Sequence, residues 1–124
     1  MPLSKGITLA AALVLTGAAA LADAPRRVVS LNVCTDQLAL LLAAPEQLVS
    51  VSSLARDPRT SAYADRAQDV PVNTGKAEEV VLLDPDLVLA GTFSTQASLS
   101  MLERLGYAVA RFAPVSSLED ARAN

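Results

Sequence analysis

The sequence predicts an α/β fold with a doubly wound parallel sheet, and three observations carry that prediction. Short β-branched or aliphatic runs alternate with helix-patterned segments along the chain. The composition is 52% hydrophobic but only 3% aromatic, with no Trp and no His, so Ala, Leu and Val supply the apolar mass. The run Leu87-Val88-Leu89-Ala90 is apolar at every position, as a parallel strand covered by helices on both faces requires. At 124 residues the chain has room for one small core.

The first segment reads as an address. Lys5 precedes an uncharged stretch over residues 6–22, whose apolar centre at 7–15 gives way to Gly17 and Ala18-Ala19-Ala20. This charged, apolar, small-residue order is that of a secretory signal. Ala20-Leu21-Ala22 fits the small-residue cleavage rule with Asp23 as the first mature residue, whereas a cut after Ala24 would place Pro25 at the new terminus. The stretch is short and weakly hydrophobic against the span of about 20 residues that a membrane helix needs. Residues 1–22 are therefore expected to be a cleaved signal peptide and the remainder an exported, soluble protein.

Residues 27–31 (RVVSL) predict the first strand, and 36–44, closed by Pro45, the first helix. LVSVS at 48–52 is the second strand. After a loop over 53–58, a short helix is expected at 59–67, with Asp57 as N-cap and Pro58 in the first helical position. Val70-Pro71-Val72 is too brief and too Pro-interrupted for a central strand, and Asn73-Thr74-Gly75 is turn chemistry. A helix over 77–83 ends at Asp84-Pro85, the strand 87–90 leads into an exit loop at 91–94, and a helix over about 95–105 carries Leu99, Leu102 and Leu105 on one stripe before Gly106. YAVARF at 107–112 is the last strand. Ser116 and Glu119 have the spacing of a capping box and announce a helix that runs to Asn124.

Much chemistry is excluded by residue type. Ten Lys and Arg stand against thirteen Asp and Glu, for a net charge of −3, so no diffuse cationic surface exists to attract nucleic acid. With no His and a single Cys, a transition-metal centre built by the protein is not expected, nor is an intramolecular disulfide. Asn73-Thr74-Gly75-Lys76 matches a phosphate loop only in its Gly-Lys pair, since Val70 stands where Gly is needed and Ala77 where Ser or Thr is needed. No Gly-rich dinucleotide fingerprint follows the first strand, so the sheet is Rossmann-like in wiring only. Cys34, at the start of the first helix, has no His to serve as its base and is expected to line a pocket or to be buried. Asp84 and Asp86 flank Pro85 and are expected to serve turns and caps. No nucleophile, base and orienting group come together, so neither an enzyme nor a cofactor is expected. Glu78 and Glu79 open a helix, where they either complement its dipole or form an acidic knob for a basic partner.

Four stretches, RRVVSLNVCTDQLALLLA (26–43), LVSVSSLARDP (48–58), NTGKAEEVVLLDPDLVLAGTF (73–93) and LERLGYAVARF (102–112), together resemble the N-terminal lobe of periplasmic substrate-binding proteins that feed ferric siderophores and cobalamin to ABC importers. The most specific pieces are LLDPDLVLAG and the V-S-L-N-x-C-x-D opening. The resemblance implies a signal peptide at 1–22, one lobe at 23–115, and at 116–124 the start of a truncated helix that would join a second lobe across a ligand cleft. It places ligand contacts at the strand exits: Asn32, Val33, Cys34 and Thr35 after the first strand, Leu54, Ala55 and Arg56 after the second, and Gly91, Thr92 and Phe93 after the strand at 87–90. Arg56 is there either to pair with an anionic group on the ligand or as an exposed loop arginine. By position, Glu78, with Glu79 beside it, corresponds to the acidic knob that engages the inner-membrane permease. The expected function is solute capture and delivery in the periplasm. The alternative is a truncated lone lobe without ligand capture, at most a permease-interaction module.

Overall fold

The β-branched runs become strands in the computed structural model, which describes residues 23–124. The expected signal peptide lies outside the described residues. Strands β1 (Val28–Ser30), β2 (Leu48–Ser52), β3 (Val72–Asn73), β4 (Leu87–Gly91) and β5 (Val109–Phe112) form one parallel sheet in the order β3-β2-β1-β4-β5. The chain begins in the middle of the sheet, steps outward to β3, then crosses to β4 on the far side of β1. The wiring thus reverses between β1 and β4, and that crevice is the topological switch point.

The helices are α1 (Val33–Leu42), α2 (Ala77–Leu83), α3 (Gln96–Arg104) and α4 (Leu118–Ala123). Val29 and Val88, in register on β1 and β4, pack with Ala77 and Val80 of α2 and Leu102 of α3 in one buried cluster. A second cluster joins Val51, Ala55 and Ala67, with Leu40 of α1 against it. The ends of α2 and α3 are closed as their sequences require. Gly106 takes a left-handed φ of 89°, and Asp84 a φ of 46°. The Arg27 side chain then donates to the carbonyls of Leu83 and Asp84 at 2.6 and 3.0 Å. Asp86 accepts the backbone N–H groups of Arg26 and Arg27 at 2.7 and 3.0 Å, and these bonds hold its carboxyl below the ordinary range. Both aspartates do turn and cap work, as expected.

Three local expectations are corrected. α1 starts at Val33, upstream of the expected residue 36, because the Asn32 side chain accepts the Cys34 N–H at 2.8 Å and caps it there. The helix expected at 59–67 is absent. Asp57 does close one turn, taking the Arg59 N–H on its side chain and those of Thr60 and Ser61 on its carbonyl. The Ala62 N–H then bonds Gln37 Oε1 and the Tyr63 N–H bonds Ser61 Oγ, so the helical ladder stops, and only a 3-10 turn at Arg66–Asp69 follows. The capping box of α4 is shifted by one residue. Ser117 Oγ accepts the Asp120 N–H, and Asp120 in return accepts from the N–H and hydroxyl of Ser116.

Polar side chains hold the carboxyl ends of the inner strands together. The Asn73 amide Nδ2 donates among Ser30 O, Ser50 Oγ and Val51 O at 3.0, 2.9 and 3.0 Å, while its Oδ1 accepts the Gly75 N–H at 3.1 Å. β3 is two residues long, and this amide does for it what a longer ladder would otherwise do. Asn73→Ala leaves buried acceptors on two strands unpaired, and a loss of about 2–3 kcal/mol is expected in urea unfolding.

Burial pushes the Asp36 carboxyl up from its ordinary value of 3.8, against the pull of hydrogen bonds from Ser52 and Ser30. A folded value raised above the unfolded one favours the protonated form, so its contribution is complete below pH 3.8 and is lost as the pH climbs through the folded value. Asp57, Glu79, Asp86 and Asp120 are shifted downward and act in the opposite sense, losing stability as the pH falls. The stability difference between Asp36→Asn and the parent is therefore expected to shift in favour of the variant as the pH rises from about 4. A flat difference across urea titrations at stepped pH would contradict this.

Candidate functional site

In a parallel sheet all strand exits lie at one end, and here two of them touch. β1 leaves through Asn32 and β4 ends in Gly91. A Cβ on Gly91 would collide with the Asn32 amide nitrogen and crowd its Cγ at 3.0 Å. Glycine is required here by close approach and not by backbone conformation. The Asn32 side chain thus lies across the end of β4, with Oδ1 committed to the helix cap and Nδ2 making no hydrogen bond among the described residues. The Gly91 N–H is taken by Ser94 Oγ at 3.1 Å, which turns the exit loop back on itself.

Around this contact lies a small cavity of about 100 Å³, lined by Asn32, Cys34, Thr35, Gly91, Thr92 and Phe93 together with Phe112, Ala113 and Pro114. Cys34 is exposed, and Phe93 is 88% exposed at the loop tip. Apolar surface, one thiol and one free amide donor make up the chemistry on offer: stacking and van der Waals contact with a large ligand and a hydrogen bond to an acceptor on it. The volume is well below the roughly 300–1,000 Å³ of an enclosed small-molecule site, so the cavity by itself does not enclose a ligand of that size.

The expected contact residues divide when placed in space. Asn32, Cys34, Gly91, Thr92 and Phe93 converge on the cavity. Val33 sits in the first turn of α1, half-buried, and does not line it. Thr35 is 1% exposed, its hydroxyl donating to the Asn32 carbonyl and pairing with Ser30 Oγ at 2.7 Å, so it forms the floor. Leu54, Ala55 and Arg56 form a 3-10 turn after β2, away from the cavity. Leu54 is half exposed there, while Ala55 is wholly buried in the second core cluster. Arg56 donates to the carbonyls of Ala67 and Val70 at 3.1 and 2.8 Å, closing the 3-10 turn that follows, and is held by the fold. Phe112, Ala113 and Pro114 were not among the expected residues. Phe112 ends β5 and Ala113 and Pro114 follow it, so the same strand-exit rule points to them.

The acidic pair divides too. Glu79 accepts from the N–H and hydroxyl of Thr74 at 2.7 and 2.8 Å, which keeps its carboxyl below the ordinary range and ties α2 to the turn before it. Glu78 is exposed and makes no side-chain hydrogen bond or ion pair among the described residues. It stands after the β3 exit, on the same end of the sheet as the cavity.

A larger apolar groove of about 310 Å³ lies on the sheet face beside α1, lined by Val28, Leu38, Leu42, Leu87, Leu89 and Phe112 among others. It lies along the strands, between α1 and Phe112 of β5 and over Leu87 and Leu89 of β4, and not at their exits.

The sequence matches no protein-family model, and no curated protein matches it. Solved structures do match its fold. A protein from Staphylococcus epidermidis described as a possible iron-binding (periplasmic solute-binding) protein superimposes with a TM-score of 0.65 at 21% identity, over 80% of this chain and 39% of that one. The periplasmic heme-binding protein RhuT from Roseiflexus sp. gives 0.63 at 25% identity, over 78% and 37%. The periplasmic vitamin B12 binding protein BtuF of Vibrio cholerae gives 0.58 at 22% identity, over 77% and 37%. The chain has the α/β fold of a lobe of these proteins, as its sequence resemblance implies, and spans well under half their length.

Replacing Gly91 tests the geometry of the wall. Gly91→Ala must displace the Asn32 amide, so a loss of about 1–3 kcal/mol is expected, accompanied by faster exchange of the Cys34 backbone N–H. Unchanged stability and exchange would show that the two exits are not in contact.

Proposed function

We propose that this chain is the N-terminal lobe of a periplasmic solute-binding protein that captures a metal chelate, either a ferric siderophore, a haem or a corrinoid, and delivers it to an ABC permease in the inner membrane. The observation that carries the reading is the contact of Asn32 with Gly91 at the switch point, flanked by Cys34, Phe93 and Phe112. The fold of proteins whose names specify heme, iron and vitamin B12 supports it. Residues 1–22 are read as the export signal, 23–115 as the lobe and 116–124 as the start of the helix to a second lobe, whose wall completes the cleft.

The role is capture and release with no covalent step. Phe93 and Phe112 offer flat apolar area to a macrocycle or a chelate shell, and Asn32 Nδ2 offers a donor to a peripheral oxygen. The apolar groove beside α1 favours the two-lobed reading over a lone lobe. Leu42 is 80% exposed and Leu38 51% exposed beside it, a patch that further chain would cover. Glu78 is the residue that presents a charge to the permease, while Glu79 orients the helix that carries it.

Titration of the exported two-lobed protein with hemin, cyanocobalamin and a ferric hydroxamate, followed by the ligand's own absorbance, is expected to show one of them binding at micromolar concentration or below. Alkylation of Cys34 is expected to weaken that binding about tenfold or more, because the adduct fills the cavity. No binding of any of the three overturns the assignment. Glu78→Arg is expected to leave ligand affinity unchanged and to slow permease docking by roughly two- to five-fold at low salt, with the difference shrinking as salt is raised.

A further inference from the structure

Asp36 is the only fully buried acidic side chain among the described residues. It sits in the first turn of α1, and its carboxylate reaches β2, 16 positions along the chain. Oδ1 accepts the Ser52 backbone N–H at 3.1 Å and Oδ2 the Ser52 hydroxyl at 2.5 Å. No cation lies in ion-pair range of it among the described residues. A carboxyl buried without a cation is costly, and an apolar side chain would pack that volume at lower cost. Its position gives the reason for its presence. On one side, the turn that holds Asp36 also holds the Asn32 cap and exposed Cys34. On the other, Ser52 is the last residue of β2 and leads directly into the 3-10 turn Ser53–Arg56.

We propose that Asp36 is a positioning residue that locks the β1 exit and the β2 exit into one rigid wall, so that Asn32 and Cys34 keep a fixed spacing from Leu54 and Arg56. The role in ligand capture rests on the solute-binding reading; the mechanical coupling does not, and its test needs no ligand. Because the link is a two-point grip on one residue, loss of either partner frees both exits together. The β4 exit touches Asn32 but has its own Gly91–Ser94 hydrogen bond, so it responds less.

The experiment compares the parent with Asp36→Asn, Ser52→Ala and the double variant, reading the maleimide alkylation rate of Cys34 and amide exchange over residues 53–56 and 87–91. Each single variant is expected to raise both the Cys34 rate and exchange at 53–56 by roughly fivefold or more, to raise exchange at 87–91 by no more than about twofold, and to add little to the other in the double variant. Uniform loss of protection across all segments, a change at only one of the two exits, or additive effects would each overturn the proposal. Ser52→Ala, which removes a single hydroxyl, keeps the test intact should Asp36→Asn fold poorly. Coupling that behaves as expected in a protein that binds none of the chelates would overturn the solute reading and leave this one standing.

Discussion

The carboxamide of Asn73 is the interaction on which the upper end of the sheet depends. A parallel sheet needs every strand's edge groups satisfied, yet β3 contributes only two residues to the ladder. Its third, effective partner is a side chain: Nδ2 reaches the β1 carbonyl of Ser30 and the β2 groups of Ser50 and Val51 at once. Three strands are thereby held at the same height, and their exits, which carry the candidate contacts, start from a common level. Asn73 is also the first residue of the turn into α2, since its Oδ1 takes the N–H of Gly75, which adopts a φ of 78°. One residue therefore sets both the sheet's end and the entry of the helix that carries Glu78.

The sheet order decides where a ligand surface arises. Had the chain continued outward from β3, the exits of β1 and β4 would not have been neighbours, and Gly91 would have had nothing to make room for. The reversal places β4 beside β1, and the absent Cβ of Gly91 lets the Asn32 side chain lie over it. Asn32 then serves two purposes with its two amide atoms. The oxygen ends the first strand by starting a helix, and the nitrogen, which makes no hydrogen bond among the described residues, is the donor assigned to a ligand in the proposed function.

Most of the architecture was legible in the sequence because its signals are local. β2 and α2 fall on the expected residues, the first from an aliphatic run and the second from Gly75, two glutamates and the Asp84-Pro85 stop. What was not legible depended on distant partners. The expected helix at 59–67 has a sound cap in Asp57, yet it is diverted by Gln37, which lies on another helix. The early start of α1 hangs on Asn32, an N-cap placed directly after the strand, which the β-branched and small residues of Val33-Cys34-Thr35 obscured. For the site, the strand-exit rule found the β1 and β4 loops but says nothing about which way a side chain turns. Thr35 turned to Ser30 and Ala55 to the core, and Arg56 found two carbonyls that the sequence does not place near it.

The distribution of apolar surface carries the remaining argument about architecture. α2 and α3 bury one face of β1 and β4, and α1 packs on the other face against β2, β1 and part of β4, which leaves an open groove on the side toward Phe112 of β5. Parallel strands are covered on both sides because each of their faces is apolar, and Leu87, Leu89 and Phe112 keep that character along the groove beside α1. α4 follows β5 directly, and its Asn124 side chain bonds the Ala113 backbone in both directions. None of its residues is buried. A six-residue helix with no buried face gains nothing from packing and too little from its own hydrogen bonds to hold on its own. The sheet thus carries an open apolar groove, and α4 carries no buried residue. Under the proposed two-lobed reading, the groove is apolar surface of the kind that a neighbouring lobe covers.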